Sequence, residues 1–200
     1  YDKISQRLIV EPLSAAITVS NSPLQDAKIP PLYVGDAVVV SGKNGSGKSK
    51  LLEAIAKSVE EGENSGFRRD PALNIAFLPQ FWPEIVAKGT LEEFFIWVRN
   101  GINSNFVTSA SDFLKKMRDV NFGARRGYLR THELLKESLS RFSGGEQRIL
   151  WFLAVSSIKS VEAAEKGSQF IKESKLPAVS ALLLDEPTNN LDTAGIAHLT

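Results

Sequence analysis

Short apolar runs alternate along the chain with stretches whose apolar residues recur at helical spacing. The short runs predict strands at residues 8–10, 15–19, 37–40, 73–78 and 181–184. Between them, Leu51, Leu52, Ile55 and Val59 recur at the spacing of one helix face and predict a helix over residues 48–60. The run at 37–40 is short and β-rich, so we expect a buried strand that leads through glycines into this helix.

The middle of the chain, from residue 90 to residue 158, has a mostly helical pattern. Thr90 and Glu93 have the spacing of a capping box, and an aromatic-rich apolar run follows them. Ser143 and Glu146 repeat this spacing at the start of a helix that continues to about residue 158. Two further short helices are predicted at residues 111–120 and 130–139.

Strands that alternate with helices predict an α/β fold with a parallel sheet, and the helical block then forms a separate subdomain. The 200 residues, with 42% hydrophobic and 24% charged, suffice for about one domain with a buried core. We interpret the chain as a fragment, because Thr200 falls within a predicted helix.

Charge and composition exclude several classes of protein. A net charge of +1 provides no general attraction to nucleic acid or acidic membranes. No apolar run reaches the roughly 18 residues of a membrane span, so we expect no direct membrane insertion. The sequence shows no secretory leader, and its lack of cysteine fits a reducing compartment, so we expect a cytoplasmic location.

A glycine-rich segment after the predicted strand at 37–40 has the pattern G-x-x-x-x-G-K-[ST]. Its residues are Gly42, Lys43, Asn44, Gly45, Ser46, Gly47, Lys48 and Ser49, and we include Lys50 in the candidate phosphate site. A loop of this kind turns backbone N–H groups toward a polyphosphate at the start of a helix. Lys48 would contact the β- and γ-phosphates, and the Ser49 hydroxyl would bind Mg²⁺. ATP and Mg²⁺ are therefore the expected ligands.

Two acidic residues end the predicted strand at 181–184. Strand ends of this kind lie beside the ligand crevice of an α/β sheet. Adjacent strand residues point to opposite faces, so Asp185 and Glu186 must differ in role. We assign Asp185 to Mg²⁺ and Glu186 to the attacking water, as phosphoryl transfer requires.

Three further segments resemble motifs of the ATP-binding cassette (ABC) ATPases. The segment Ser143-Gly144-Gly145-Glu146-Gln147 is similar to their signature motif. Residues 185–192 resemble their Walker B and D-loop, and residues 75–80 resemble the strand and glutamine of their Q-loop. The resemblance implies a RecA-like P-loop core with an antiparallel β edge (residues 1–80 and 159–200) and an inserted helical subdomain (residues 81–158).

The same resemblance implies that two cassettes enclose two ATP molecules. Ser143, Gly144 and Gly145, with Glu146 beside them, would bind the γ-phosphate held by the opposite cassette. Gln80 would reach Mg²⁺ or the attacking water. The implied catalytic residues are then Glu186, Gln80 and Lys48, and the implied Mg²⁺ ligands are Ser49, Gln80 and Asp185. The family's switch histidine would lie beyond Thr200, and we assign that role to neither His132 nor His198.

Four interpretations of the protein's role remain open, three of them kinds of cassette protein. The short stretch between Lys48 and Gln80 and the segment 189–192 resemble ABC-F proteins, in which fused cassettes work on the ribosome. A predicted helical insertion at 160–178 resembles the longer links of DNA repair or defence ATPases related to RecF and the SMC proteins, and the basic segment 115–130 offers a surface for a nucleic-acid backbone. A transporter subunit is the third interpretation, and a nucleotide-binding scaffold without hydrolysis is the fourth.

Overall fold

A computed structural model of the chain describes residues 8–12, 29–33, 35–58, 66–69, 74–102, 110–122, 131–158 and 179–187. The predicted strand at 15–19, the insertion at 160–178, the segment 189–192 and His198 lie outside these residues. The chain divides into two compact units. The first consists of Tyr1–Pro79 with Val179–Asp185, and the second of Gln80–Ala178 with Glu186–Thr200.

The first unit contains a three-stranded antiparallel sheet. Its strands are β1 (Leu8–Pro12), β2 (Leu32–Tyr33) and β3 (Phe67–Arg69), in the order β2-β1-β3. Val10 and Phe67 are buried, and Glu11 lies opposite Arg68 in the register and forms an ion pair with it. This sheet is the antiparallel edge that the resemblance implied.

A parallel pair of strands forms the second sheet of this unit. Strand β4 (Ile75–Leu78) pairs with β5 (Ala181–Leu184), and the register runs from Ile75 opposite Ala181 to Leu78 opposite Leu184. Helix α1 (Lys48–Lys57) packs against both strands and buries Leu51 and Ile55, as its apolar spacing predicted. The predicted parallel arrangement is therefore confirmed for these two strands.

The buried strand predicted at residues 37–40 is wrong. Val38 is 56% exposed and Val39 is 90% exposed, and neither sheet of the described residues includes this segment. An apolar run becomes a strand only when a neighbouring strand completes its backbone hydrogen bonds. Here β5 pairs with β4 alone among the described strands, so the apolar run at 37–40 has no pairing partner and stays outside both sheets.

The second unit is helical. Its helices are α2 (Glu84–Lys88), α3 (Leu91–Ile102), α4 (Ala110–Asp119), α5 (Thr131–Leu134) and α6 (Gly144–Ser157), with a 3-10 turn at Leu139–Arg141. Both α3 and α4 pack against α6. The core contains Trp151, Phe94, Phe95 and Phe113, and the rings of Phe95 and Phe113 stack with centroids 4.9 Å apart.

The helix predicted at 130–139 is shorter than expected, because its second half bonds to the start of α3. The backbone N–H groups of Leu91 and Glu92 donate to the carbonyls of Glu137 and Leu135, at 2.8 and 3.0 Å. Leu139 N–H in turn donates to Gly89 O at 2.8 Å. These tertiary bonds take the place of helical ones after α5. None of the helices in the described part of the chain is long and apolar enough to cross a bilayer.

Candidate functional site

The glycine-rich loop curls tightly before α1. Gly45 and Gly47 have φ of 79° and 91°, in the left-handed region that residues with a side chain rarely adopt. Within the loop, Ser46 N–H donates to Lys43 O at 3.1 Å. The backbone therefore favours glycine at Gly47, which the pattern specifies, and at Gly45, which the pattern leaves open, and the loop turns directly into the helix.

The N-terminus of α1 differs from that of α6 in having no side-chain cap. Gly47 is the N-cap residue and makes no side-chain hydrogen bond to the helix, and the first turn carries no acidic residue. The first N–H groups of a helix have no partner within it, and the helix dipole adds partial positive charge at this end. Ser49 and Lys50, both exposed, lie in this first turn. The arrangement suits an anion with several oxygens.

Lys48 lies across the loop rather than away from it. Its Nζ donates to the carbonyls of Gly42 and Lys43, at 2.9 and 3.0 Å. The two carbonyls hold the ammonium group over the start of the loop. A phosphate oxygen that enters the loop would meet this charge together with the helix N-terminus.

Asp185 follows β5 in the first unit and is only 5% exposed. Its backbone N–H donates to Leu78 O at 3.0 Å, which continues the β4–β5 pairing by one residue. In the same unit, the exposed Ser49 hydroxyl is the other predicted Mg²⁺ donor. Among the described residues no cluster of three His, Cys, Asp or Glu side chains forms a metal cage. Hard oxygen donors with one or two carboxylates are nevertheless what Mg²⁺ uses beside a nucleotide, so these residues fit.

Gln80 and Glu186, far apart in sequence, meet in the second unit. Gln80 Nε2 donates to Glu186 Oε2 at 2.8 Å. Glu186 adopts a φ of 49°, which is uncommon for a residue with a side chain. The structure thus brings together the residue assigned to the attacking water and the glutamine expected to reach it.

The predicted capping box at the signature segment is confirmed. Ser143 Oγ accepts from Glu146 N–H at 3.3 Å, and Glu146 Oε2 accepts from Ser143 N–H at 2.8 Å. Gly144 and Gly145 form the first turn of α6 behind this cap. Ser143 itself is exposed, so an external anion can approach the cap. The capping box predicted at Thr90 and Glu93 is confirmed as well.

Three residues beside this site were given no part in the nucleotide site by the sequence patterns, although Gln147 belongs to the signature segment. Trp82 Nε1 donates to Gln147 Oε1 at 2.8 Å, and a guanidinium nitrogen of Arg148 donates to Gln80 O at 3.1 Å. Arg148 is 3% exposed. The sequence did contain a signal for two of them. Gln147 and Arg148 are polar residues near the start of an apolar helix, where buried polar groups need hydrogen-bond partners.

Two proteins of Haemophilus influenzae are similar to this chain. The energy-dependent translational throttle protein EttA is 27% identical over 179 residues, which cover 84% of this chain and 31% of EttA. The molybdate import ATP-binding protein MolC is 28% identical over 166 residues, which cover 82% of this chain and 53% of MolC. The chain thus spans about a third of one relative and about half of the other.

A solved structure and a family model complete these comparisons. A chain of an inward-facing ABC transporter, described as metal-chelate type, matches with a TM-score of 0.54 at 22% identity and covers 97% of this chain and 65% of that chain. This likeness supports the α/β fold class predicted from the sequence. The family model for the ABC transporter matches residues 31–161, which include the glycine-rich loop, Gln80 and the signature segment. The chain therefore belongs to the ABC transporter family and carries an ABC-type ATPase domain.

Proposed function

We propose that this chain binds MgATP through its glycine-rich loop and hydrolyses it together with a second cassette. The observation that carries the proposal is the start of α1, which has no side-chain cap and no acidic residue in its first turn. The unpaired N–H groups of this turn, the helix dipole and the Lys48 ammonium group together favour a phosphate.

Ser49, Asp185 and Gln80 are the residues that would hold Mg²⁺. When bound, the ion neutralises charge that develops on the phosphate oxygens. Lys48 supplies a second positive charge through its position over the loop. Glu186 accepts a proton from the attacking water, and Gln80 orients that water. The hydrogen bond between Gln80 and Glu186 is consistent with these two roles.

The signature segment acts on the nucleotide of the opposite cassette in this proposal. Ser143 and the first turn of α6 form an exposed helix start with two glycines, where the backbone is accessible to a γ-phosphate. ABC domains work as dimers or with partner domains. The proposed partner is therefore a second cassette, either another copy or a fused domain.

The nucleotide site is tested with Lys48→Ala in the full-length protein, measured by MgATP binding and by phosphate release. Loss of the ammonium group should weaken binding at least about tenfold and remove hydrolysis. Lys57→Ala is the matched control, since Lys57 is a lysine at the other end of α1 that pairs with Glu53 at 2.8 Å. Equal binding by the two variants would refute the assignment of the loop.

We further propose that the full-length protein is a cytoplasmic ABC-F-like machine that acts on the ribosome or its RNA. The likeness to EttA, by name a translational throttle protein, supports this assignment together with the short stretch between Lys48 and Gln80. A transporter subunit is the second candidate, and the similar identity to MolC, by name a molybdate import protein, favours it.

These two candidates are separated by what a closed, ATP-bound protein retains. Full-length Glu186→Gln protein is loaded with ATP, captured and its bound partners identified. Ribosomes are expected, whereas a membrane protein would establish the transporter and DNA or a nuclease would indicate a repair or defence role. The control is Glu186→Gln combined with Lys48→Ala, which should retain no partner because it cannot close on ATP.

A further inference from the structure

The first residues of α6 form hydrogen bonds with Gln80 and Trp82, which follow β4, and they also carry the Ser143 cap of the signature segment. Arg148, which is buried, donates to the backbone carbonyl of Gln80, and Gln147 accepts from the indole of Trp82. The cap residue Ser143 lies in the same turn, and its carbonyl accepts from Gln147 N–H at 2.9 Å. The start of α6 is thus bonded on one side to Gln80 and Trp82 and on the other to Ser143 of the signature segment.

The Gln147 amide makes hydrogen bonds with all of its polar groups in this network. Its Nε2 donates to the carbonyls of Leu139 and Phe142, at 3.0 and 2.9 Å, while Oε1 accepts from Trp82. Both amide hydrogens are therefore used. Phe142 lies directly before Ser143 and Leu139 lies in the 3-10 turn before it, so the amide joins the segment that leads into the signature to the Trp82 ring. That ring also packs edge-on against Phe94 and Trp97.

We propose that Gln147 and Trp82 are positioning residues that bind the Gln80 segment and the Ser143 turn into one rigid body. The inference rests on the proposed function, in which Gln80 reaches one nucleotide and Ser143 reaches the other. A change in the position of Gln80 is then transmitted to Ser143 through the indole–amide bond. Neither side chain touches ATP, and each acts by fixing the geometry of residues that do.

Trp82→Phe in the full-length protein removes the indole donor and keeps an aromatic ring. We expect kcat for ATP to fall about fivefold, which corresponds to about 1 kcal/mol, the usual net worth of one hydrogen bond. KM for ATP should change less than about twofold, since the glycine-rich loop is intact. Trp97→Phe is the matched control, because Trp97 belongs to the same aromatic cluster and its indole is not the donor to Gln147.

Gln147→Leu and the double variant test the bond itself. If Trp82 acts through its hydrogen bond to Gln147, the double variant should lose no more kcat than Gln147→Leu alone, which also removes the donors to Leu139 and Phe142. Should Gln147→Leu fail to fold because the Leu139 and Phe142 carbonyls lose their donor, Trp82→Phe and its control Trp97→Phe carry the test, and equal kcat in those two variants would overturn the proposal. A purely structural role would lower the melting temperature and leave kcat unchanged below it, and that result would overturn the proposal.

Failure of the proposed function has a different signature. In that event Lys48→Ala would hydrolyse ATP like the wild type, or the wild type would show no hydrolysis at all. Independent losses in Trp82→Phe and Gln147→Leu that multiply in the double variant would instead refute only the positioning bond.

Discussion

At the scale of single residues, the backbone of Glu186 is held in a conformation that its side chain does not favour. Its φ of 49° places it in the left-handed region, where a residue other than glycine is strained by about 1 kcal/mol. The same residue accepts the hydrogen bond from Gln80 at 2.8 Å. Strain of this kind persists where the surroundings fix the residue, and it is concentrated at functional sites. The conformation therefore supports the assignment of Glu186 to the reaction.

This strain predicts a difference between two variants of Glu186. Glu186→Gly and Glu186→Ala both lose the bond to Gln80 and should both abolish hydrolysis. Glycine adopts a positive φ without a steric penalty, so Glu186→Gly should be more stable than Glu186→Ala by about 1 kcal/mol. Urea unfolding followed by fluorescence measures the difference. Identical unfolding midpoints would show that the backbone of residue 186 is not strained.

At the scale of helices and strands, two capping boxes begin two helices of the second unit. Thr90 and Glu93 cap α3, and the hydrogen bonds from the Thr90 backbone and hydroxyl hold the pKa of Glu93 below its ordinary value. Ser143 and Glu146 cap α6 in the same way. The two caps are chemically alike, yet only the second lies in the signature segment.

This pair of caps provides a matched test of function against stability. Ser143→Ala and Thr90→Ala should each cost about 1 kcal/mol in the free energy of unfolding, because each removes an N-cap acceptor. In the full-length protein, only Ser143→Ala should also reduce ATP hydrolysis, by about tenfold or more. Denaturant unfolding and phosphate release are measured side by side. A similar loss of hydrolysis in both variants would reduce Ser143 to an ordinary cap.

Local patterns predicted the elements whose causes are local. The capping boxes and the apolar face of α1 depend on neighbouring residues, and the sequence pattern contains them. The strands β4 and β5 were also predicted, and they form because each is the other's pairing partner. The strand at 37–40 failed because a strand needs a partner, which a local pattern cannot supply. The helix at 130–139 was too long because its second half bonds to the start of α3.

The residues of the candidate site fall into the same two groups, those predictable from the local sequence and those that only the fold brings together. The glycines of the loop and the capping serine were predictable from residue type and spacing, since each satisfies a local backbone requirement. The bond between Gln80 and Glu186 joins residues that are 106 positions apart, and only the fold brings them together. The Trp82–Gln147 bond is likewise a product of helix packing. The role of each of these residues toward a nucleotide remains a prediction.

At the scale of the whole molecule, the proposed nucleotide-binding groups are distributed between the two units. The first unit holds the glycine-rich loop with Lys48 and also Asp185, while the second holds Gln80, Glu186 and the signature turn. In the proposed arrangement a complete site takes Lys48 from one cassette and Ser143 from another. One chain then contributes half of each site, and its activity depends on association.

A mixing experiment tests this dependence for two copies of the full-length protein. Lys48→Ala removes the loop charge, and Ser143→Arg fills the exposed signature turn, so each variant alone has two defective sites and should be inactive. A mixed dimer restores one intact site, because both defects then fall in the other site. An equimolar mixture should recover up to about a quarter of wild-type phosphate release, since half of the dimers are mixed and each has one active site of two. Recovery should increase with protein concentration as the dimer forms. Wild-type turnover per chain that does not change on dilution, together with no recovery on mixing, would contradict a site shared between two copies.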